Sequence, residues 1–421
     1  MVLAGEGSTD RSLTETDVRR IAGEALGPHD LDGKRVLVII PDGTRSMPMP
    51  LMFSVFQDLL ANRTAALDFL VALGTHQPMS DAELSRHVGC PVVNECAGRS
   101  RVVNHHWDDP RTFTTLGTIG RAEIETLTGG RFSRDVPVSL NRLILDYDHL
   151  MICGPVFPHE VAGFSGGTKY FFPGIAGPDI IDFTHWLGAV ITSAEVIGTR
   201  DTPVRAVIDR AARFVDRPVT CLSLVVAHDS LAGLYIGLPD ESWKAAAALS
   251  ARRLIVHVPE PFARVLSVMP AMYADLWTAA KGMYKLEPVV QDGGELVIYG
   301  PHITDVSYTH GRTIEEIGYH CRDYFLAQWD RFGGYPGGVL AHSTHVKGLG
   351  TYDRATGIER PRITVTLATG ISRERCARIN LGYADPAGIR IEEWEHRELE
   401  GTLVVPRAGE VLYRLRTDRS A

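Results

Sequence analysis

What the sequence has little of narrows the field first. Six cysteines (Cys90, Cys96, Cys153, Cys221, Cys321 and Cys376) are scattered through 421 residues with no C-x-x-C pair. That excludes a thiolate zinc site and a disulfide framework, and makes a reducing cytoplasm the expected compartment. No uninterrupted apolar stretch approaches the ~20 residues of a membrane helix. Met1 to Arg11 is small and polar, without the charged-then-apolar order of an export signal. Lysine and arginine total 43 against 51 acidic residues, a formal charge of -8, whereas a nucleic-acid binder carries a basic surplus. Neither membrane nor nucleic acid is therefore expected as a partner. Two nucleotide signatures are missing as well. No G-x-G-x-x-G follows the first apolar run, and Lys169 stands between Thr168 and Tyr170 rather than in a Walker context.

What is present is an alternation of helix-like and strand-like segments. Ser12 to Leu26 reads as a helix capped by Thr14 or Thr16, Leu51 to Ala61 as a second, and Asp81 to Val88 as a third capped by Ser80. Arg35 to Ile40 and Ala66 to Leu73 are runs of the kind buried on both faces of a parallel sheet. Arg101 to Val103 and the apolar run from Leu143 to Cys153, ending at Gly154-Pro155, continue the series. Ser193 to Val215 reads as helix, Leu222 to Val226 as strand and Trp243 to Arg252 as helix, while Ile119 to Arg142 yields no assignment. Pro259-Glu260-Pro261 marks a hinge after Val258. Beyond it, Val265 to Val268, Gly294 to Tyr299, Thr364 to Leu367 and Leu403 to Val405 are strand-like, Asp275 to Met283 is helical, and His342 to Lys347 reads as a polar loop. The expected fold is α/β with two domains, 1–258 and 264–421. Each is a mostly parallel sheet flanked by helices, with the active site in the cleft between them.

The polar residues gather at strand ends. Asp42-Gly43-Thr44-Arg45, Gly74-Thr75-His76 and Asn104-His105-His106 each follow a strand, and in open α/β sheets ligands bind at such ends. Arg45 there either forks onto a carboxylate or pairs with Asp42 to hold the turn. The richest stretch is Pro158-His159-Glu160-Val161-Ala162-Gly163-Phe164-Ser165-Gly166-Gly167-Thr168-Lys169. Its glycines permit positive φ and close approach, and its successive N–H groups are placed to nest a phosphate. His342 and His345, three residues apart, are a weaker candidate pair of metal ligands.

These motifs, in this order, resemble the nickel-dependent lactate racemase family of 2-hydroxyacid racemases and epimerases, nearly end to end. The resemblance implies His105 and His159 as the two catalytic histidines, with His106 a competitor for the first place. It implies Lys169 as the lysine covalently joined to a nickel-pincer nucleotide, a pyridinium-3,5-bisthiocarboxylic acid mononucleotide holding nickel. His185, 185 − 169 = 16 residues later, takes the place of the nickel ligand. Asp42, Gly163, Ser165, Gly166 and Gly167 fall at cofactor-binding positions. Arg45, Lys281 and Trp277 fall at substrate-binding ones. Cofactor-maturation proteins and a small 2-hydroxyacid are the implied partners.

The implied chemistry suits the residues. An α-proton next to an ordinary carboxylate is too weakly acidic for imidazole, so the hydrogen leaves as hydride to the cofactor while a histidine takes the hydroxyl proton. The planar 2-keto acid is then reduced from either face, one histidine serving each enantiomer. His106 stands where many members have aspartate, which is what makes it a competitor; Trp277, where the family usually has tyrosine, and the unusual His342–Lys347 loop make a substrate larger than lactate the expectation. The competing readings are a non-catalytic nucleotide- or metallocofactor-binding protein and an NAD-dependent 2-hydroxyacid dehydrogenase.

Overall fold

The computed structural model describes residues 1–416. The chain folds into two compact units. The first comprises Met1–Phe157, Phe164–Ile181 and Arg200–Arg253, and the second Pro158–Gly163, Asp182–Thr199 and Leu254–Ala421. The last crossing, at 253/254, lies just before the Pro259–Pro261 pair. Two short pieces of the amino-terminal half, 158–163 and 182–199, belong with the second unit. Among the described residues no helix is long and apolar enough to cross a membrane.

The first unit is built on an eight-stranded sheet. Its order is Val2–Gly7, Ser230–Gly237, Val219–Ala227, His149–Pro155, Arg35–Pro41, Ala66–Ala72, Ser100–Asn104, Cys96–Ala97. The five strands from Val219–Ala227 to Ser100–Asn104 run parallel, and antiparallel strands close both edges. Val36 to Ile40 are all fully buried, as a strand covered on both faces requires. Helix Glu15–Leu26 starts at a reciprocal Thr14–Asp17 capping box and helix Asp81–Val88 at a Ser80–Glu83 one. Numbered along the chain, the parallel strands lie in the order five, four, one, two, three. The order therefore reverses between Arg35–Pro41 and His149–Pro155. That reversal opens a crevice at their carboxyl ends.

The second unit has a five-stranded, wholly parallel sheet in the order Gly382–Tyr383, Thr364–Thr369, Val290–Gly300, Phe262–Val268, Thr402–Val405. Here the order reverses between Phe262–Val268 and Thr402–Val405. A smaller parallel pair, Ile255–Val258 with Leu412–Leu415, flanks it. The α/β expectation with two sheet-centred bodies is borne out.

Several local expectations need correction. Leu143 to Leu145 lie in a 3-10 turn, Arg142–Asp146, because the Asn141 side chain caps it, and the strand begins only at His149. Ser193 to Val215 is two helices, Ser193–Val196 and Pro203–Ala212. Gly198 takes φ +70° and Pro203 can only start a new helix. The helix expected over Asp275 to Met283 is two turns, Leu276–Ala279 and Lys281–Tyr284, meeting at Ala280. His342 to Lys347 is no loop: it ends the helix Gly337–Lys347. Its residues Val339 to Val346 are all buried, and a helix buried all round shows no amphipathic period. The unassigned stretch holds a hairpin, Phe113–Ile119 with Val136–Asn141, and the helix Arg121–Leu127.

Candidate active site

At the first unit's switch point the Arg35–Pro41 strand delivers Asp42 into a buried turn. Its Oδ1 accepts the Thr44 N–H (2.9 Å) and hydroxyl (2.6 Å), and its Oδ2 lies 2.5 Å from His76 Nδ1. Burial alone would raise this carboxyl. The His76 ring, Arg45 and Thr44 outweigh it and hold it well below the usual carboxylate range. Both Asp42 oxygens are thus spent within the protein. Asp42 ties the Asp42–Arg45 turn to the next strand end, while Arg45 Nη1 reaches only 4.0 Å from Oδ1 and donates instead to Thr44. Of the two sequence readings for Arg45, a direct Asp–Arg bridge is the one this geometry weakens.

The glycine-rich turn sits beside it, on the far side of the switch. A Cβ on Gly154, at the end of His149–Pro155, would lie 1.9 Å from Tyr170 Oη, so only glycine lets that ring pack there. Ser165 Oγ donates to the Pro155 carbonyl (2.8 Å) and accepts from Phe157 N–H (2.9 Å). Three successive carbonyls are then held from behind. Arg205 donates to those of Phe164 and Gly166, and Trp243 Nε1 to that of Ser165 at 2.8 Å. The Arg205 guanidinium itself lies over the Trp243 ring, 4.1 Å from its centroid. Gly166 and Gly167, at φ +81° and +59°, carry no Cβ because Val156 and Trp243 occupy that space.

Part of the expected phosphate nest is already engaged within the protein. Ser165 N–H donates to Phe157 and Lys169 N–H to Gly166. The turn is a rigid platform, and half-buried Lys169 stands on the single 3-10 turn, Gly167–Tyr170, that it supports. Arg205 and Trp243 were not singled out from sequence for this role. Nothing in the spacing links them to a turn some 40 and 78 residues away.

His105 ends the Ser100–Asn104 strand and is fully buried, while its neighbour His106 is exposed and 3.9 Å from Glu95. The hairpin holds it. Phe113 meets the ring edge-on at 5.6 Å, and Asn141 Nδ2 approaches Nδ1 at 3.1 Å. Asn141 Oδ1 is committed to the Leu143 N–H (3.0 Å), which leaves the amide NH₂ to face the imidazole. Nδ1 is therefore the acceptor, and the neutral ring carries its proton on Nε2. Nε2 is buried with no well-aligned hydrogen-bond partner among the described residues. Burial pushes the pKa down to about 4; the Ala176 backbone and Asp108 oppose this, and His106 adds to it. The ring is neutral at physiological pH.

In the second unit, buried His159 accepts the Val161 N–H at Nδ1 (3.1 Å), with Glu160 Oε2 3.2 Å from the same nitrogen. Gly163, at φ +79°, accepts the Gly198 N–H. His185 lies half-buried on the helix Pro178–Ile191. Helix Gly337–Lys347 meets that helix at glycine: a Cβ on Gly337 would fall 2.4 Å from the Asp182 carbonyl. His342 and His345 are buried near enough to His185 for the rings to depress one another. His342 is driven well below the usual range by burial first and then by His345, His310 and His185. Trp277 stacks on His342 at 4.0 Å and meets His310 at a tilt, 4.5 Å between centroids, and Tyr319 Oη lies 3.2 Å from His342 Nε2. Lys281 lies at this unit's own switch point, its Nζ 4.4 Å from the Tyr273 ring centroid, beside Gly409. A cleft of ≈ 330 Å³ is lined by Thr192, Arg322, Thr344, His345 and Gly348 to Gly350.

The expected residues thus fall into two sets. Asp42, Arg45, His105, Ser165, Gly166, Gly167 and Lys169 lie in the first unit; His159, Gly163, His185, Trp277 and Lys281 lie in the second. Among the described residues no three His, Cys, Asp or Glu side chains are grouped to hold a metal ion. The His342–His345 pair therefore makes no metal site with its neighbours. A lone imidazole such as His185 fits a nickel whose remaining donors come from an organic cofactor, and an amine on a rigid turn fits its covalent attachment.

These features define an α/β protein whose first unit gathers polar groups at its sheet's switch point. Residues 19–198 match the lactate racemase N-terminal domain. That span includes every residue of the two expected sets except Trp277 and Lys281. The chain is 28% identical over 187 residues to the lactate racemase of Thermoanaerobacterium thermosaccharolyticum, covering 42% of this chain and 40% of that one. It is 25% identical over 285 residues to that of Lactiplantibacillus plantarum, covering 63% and 60%. The matches thus span about half the length of these racemases. A Thermotoga maritima protein of known crystal structure superposes with TM-score 0.90 at 30% identity, covering 98% of this chain and all of that one. The lactate racemase apoprotein of T. thermosaccharolyticum shares the fold, at TM-score 0.70 and 18% identity over 96% and 94% of the two chains.

Proposed function

We propose that this protein is an isomerase that inverts the 2-carbon of a 2-hydroxyacid, with a nickel-pincer nucleotide covalently attached at Lys169 and His185 as the protein's nickel ligand. The observation that carries the reading is the switch-point assembly of the first unit. Arg45, His105 and Lys169 follow strands of one sheet, and the platform under Lys169 has three consecutive carbonyls locked. When bound, the nucleotide supplies an acceptor for the α-hydrogen. The chain's own groups do the rest. Arg45, kept oriented by the Asp42–Thr44 network, and Lys281 hold the substrate carboxylate so that only the 2-carbon reorients. His105 and His159 handle the proton on the 2-oxygen, one for each enantiomer. Burial around His105 excludes water from that oxygen.

The substrate in this reading is larger than lactate. Trp277 is engaged by His342 and His310, and the nearby cleft offers Arg322 with the Thr192 and Thr344 hydroxyls, a lining suited to a polyhydroxylated or anionic distal group. The test is to produce the protein with the cofactor-maturation enzymes and assay single enantiomers of a 2-hydroxyacid panel, sugar acids included. Nickel stoichiometric with chain, a mass adduct on Lys169 and racemisation of a larger acid are expected. A fully loaded protein that inverts none of the panel overturns the reading, and lactate as best substrate overturns the size assignment.

A further inference from the structure

We propose that Asn141 is a positioning residue that sets the tautomer of His105, keeping the ring proton on Nε2 so that this histidine meets its ligand as a hydrogen-bond donor. The catalytic meaning rests on the function proposed above; the tautomer itself does not.

The argument begins with the amide. A carboxamide has one accepting and one donating end, and at ordinary precision the two are told apart only by their partners. Here the partner is decisive. The Leu143 N–H is 3.0 Å from the Asn141 oxygen, and this bond caps the Arg142–Asp146 turn. Turning the amide over would set NH₂ against N–H and uncap the turn. The end facing His105 is therefore NH₂, 3.1 Å from Nδ1, and Nδ1 must offer its lone pair. A neutral imidazole has one proton, so it sits on Nε2, which is buried with no well-aligned partner among the described residues, the Ala176 backbone being the other polar group that acts on the ring.

Two consequences follow for chemistry. A ring in this state donates to a 2-keto or 2-hydroxyl oxygen but cannot accept a proton at Nε2. To act as base, His105 must first move its proton to Nδ1, and Asn141 must present its oxygen there, giving up Leu143. Asn141 thus separates the donor role of His105 from the base role by the cost of one turn cap, a bond of about 1 kcal/mol net.

The test needs neither cofactor nor substrate. Protein labelled with ¹⁵N at histidine is examined by long-range ¹H–¹⁵N correlation at neutral pH, the His105 signals being assigned by their loss in His105→Gln. Wild type is expected to show a protonated Nε2 and a bare Nδ1. Asn141→Asp keeps an oxygen to cap Leu143 but offers Nδ1 a carboxylate acceptor, so the proton should move to Nδ1. A wild-type ring protonated at Nδ1, or an unchanged tautomer in a folded Asn141→Asp variant, overturns the proposal. Should Asn141→Asp fail to fold, the wild-type spectrum alone still decides. A wild-type Nε2–H ring in a loaded protein that racemises nothing would sink only the functional reading.

Discussion

The two histidines assigned to the proton differ in how they are held, and the difference is instructive. His159 has its Nδ1 settled locally, by the Val161 N–H two residues on, with the Glu160 carboxylate 3.2 Å from the same nitrogen. His105 has its Nδ1 settled from 36 residues away by Asn141, with only the more distant charge of Asp108 acting on the ring among the described carboxylates. The first imidazole has an acceptor ready if it gains a second proton. The second has a donor in that place and is buried so deeply that its charged form is suppressed to about pH 4. Both neutral rings thus rest with the proton on Nε2, and they differ in what Nδ1 meets when a second proton arrives: a carboxylate at His159, an amide NH₂ at His105.

The largest expected effects test that division directly. His105→Ala and His159→Ala should each lower racemisation by roughly 10²–10⁴-fold, with nickel and the Lys169 adduct retained. Single-turnover formation of the 2-keto acid from each enantiomer should fail with opposite handedness in the two variants. Equal losses for both enantiomers in both variants would erase the comparison. Next in size is the scaffold on the first unit's side. Arg205 is buried, its pKa is lowered by burial only to about 10, and it holds two carbonyls and the Trp243 face. Arg205→Ala leaves those carbonyls unpaired and should cost about 3 kcal/mol or more, read as a shifted denaturant midpoint. An unchanged midpoint would show that the platform stands without its clamp.

A third prediction uses the proton itself. His105 titrates near 4 in the folded protein against an ordinary value near 6.5. Between those values the unfolded chain binds the proton and the folded one does not, so stability rises with pH there and is lost as pH falls from 6.5 towards 4. The share of one such group is roughly 3 kcal/mol. His149, also pushed down to about 4 by burial in the same unit, adds a similar slope. Asp42 acts in a separate window, its contribution being lost only as pH falls below the ordinary carboxylate range. His105→Gln should flatten the stability slope between pH 6.5 and 4 and leave that of His149. An unaltered slope would mean that His105 is solvated.

Sequence and structure agree where the determinants are local. The Thr14 and Ser80 caps, the strands at Arg35–Pro41 and Ala66–Ala72 and the clustering of polar residues at strand ends all follow from neighbours a few positions apart. Long-range determinants were not legible. Asn141 lies in a stretch without hydrophobic period, and its role emerges only when the hairpin folds back on His105. Arg205 and Trp243 sit on helices far along the chain, and their shared target is a row of backbone carbonyls, which leaves no trace in side-chain spacing. The Gly337–Lys347 helix was hidden for a different reason. Buried on every side and glycine-rich where it meets Asp182, it lacks both polar face and periodicity. The glycines of the expected phosphate nest have a second cause that spacing could not show: they make room for Trp243 and Val156.

The smallest expected effect sharpens the comparison most. Glu160→Gln removes the charge beside His159 Nδ1 and keeps the size of the side chain, which is only partly exposed. The Val161 N–H still fixes the resting tautomer, so substrate affinity and fold should be unaffected. What changes is the protonated state of His159, which loses a charge-assisted partner. One such bond, screened by partial exposure, is worth about 1 kcal/mol, so kcat should fall several-fold for the enantiomer His159 serves and stay near wild type for the other, with KM unmoved. A fall shared equally by both enantiomers, or confined to the one His105 serves, would show that the carboxylate is not what distinguishes the two imidazoles.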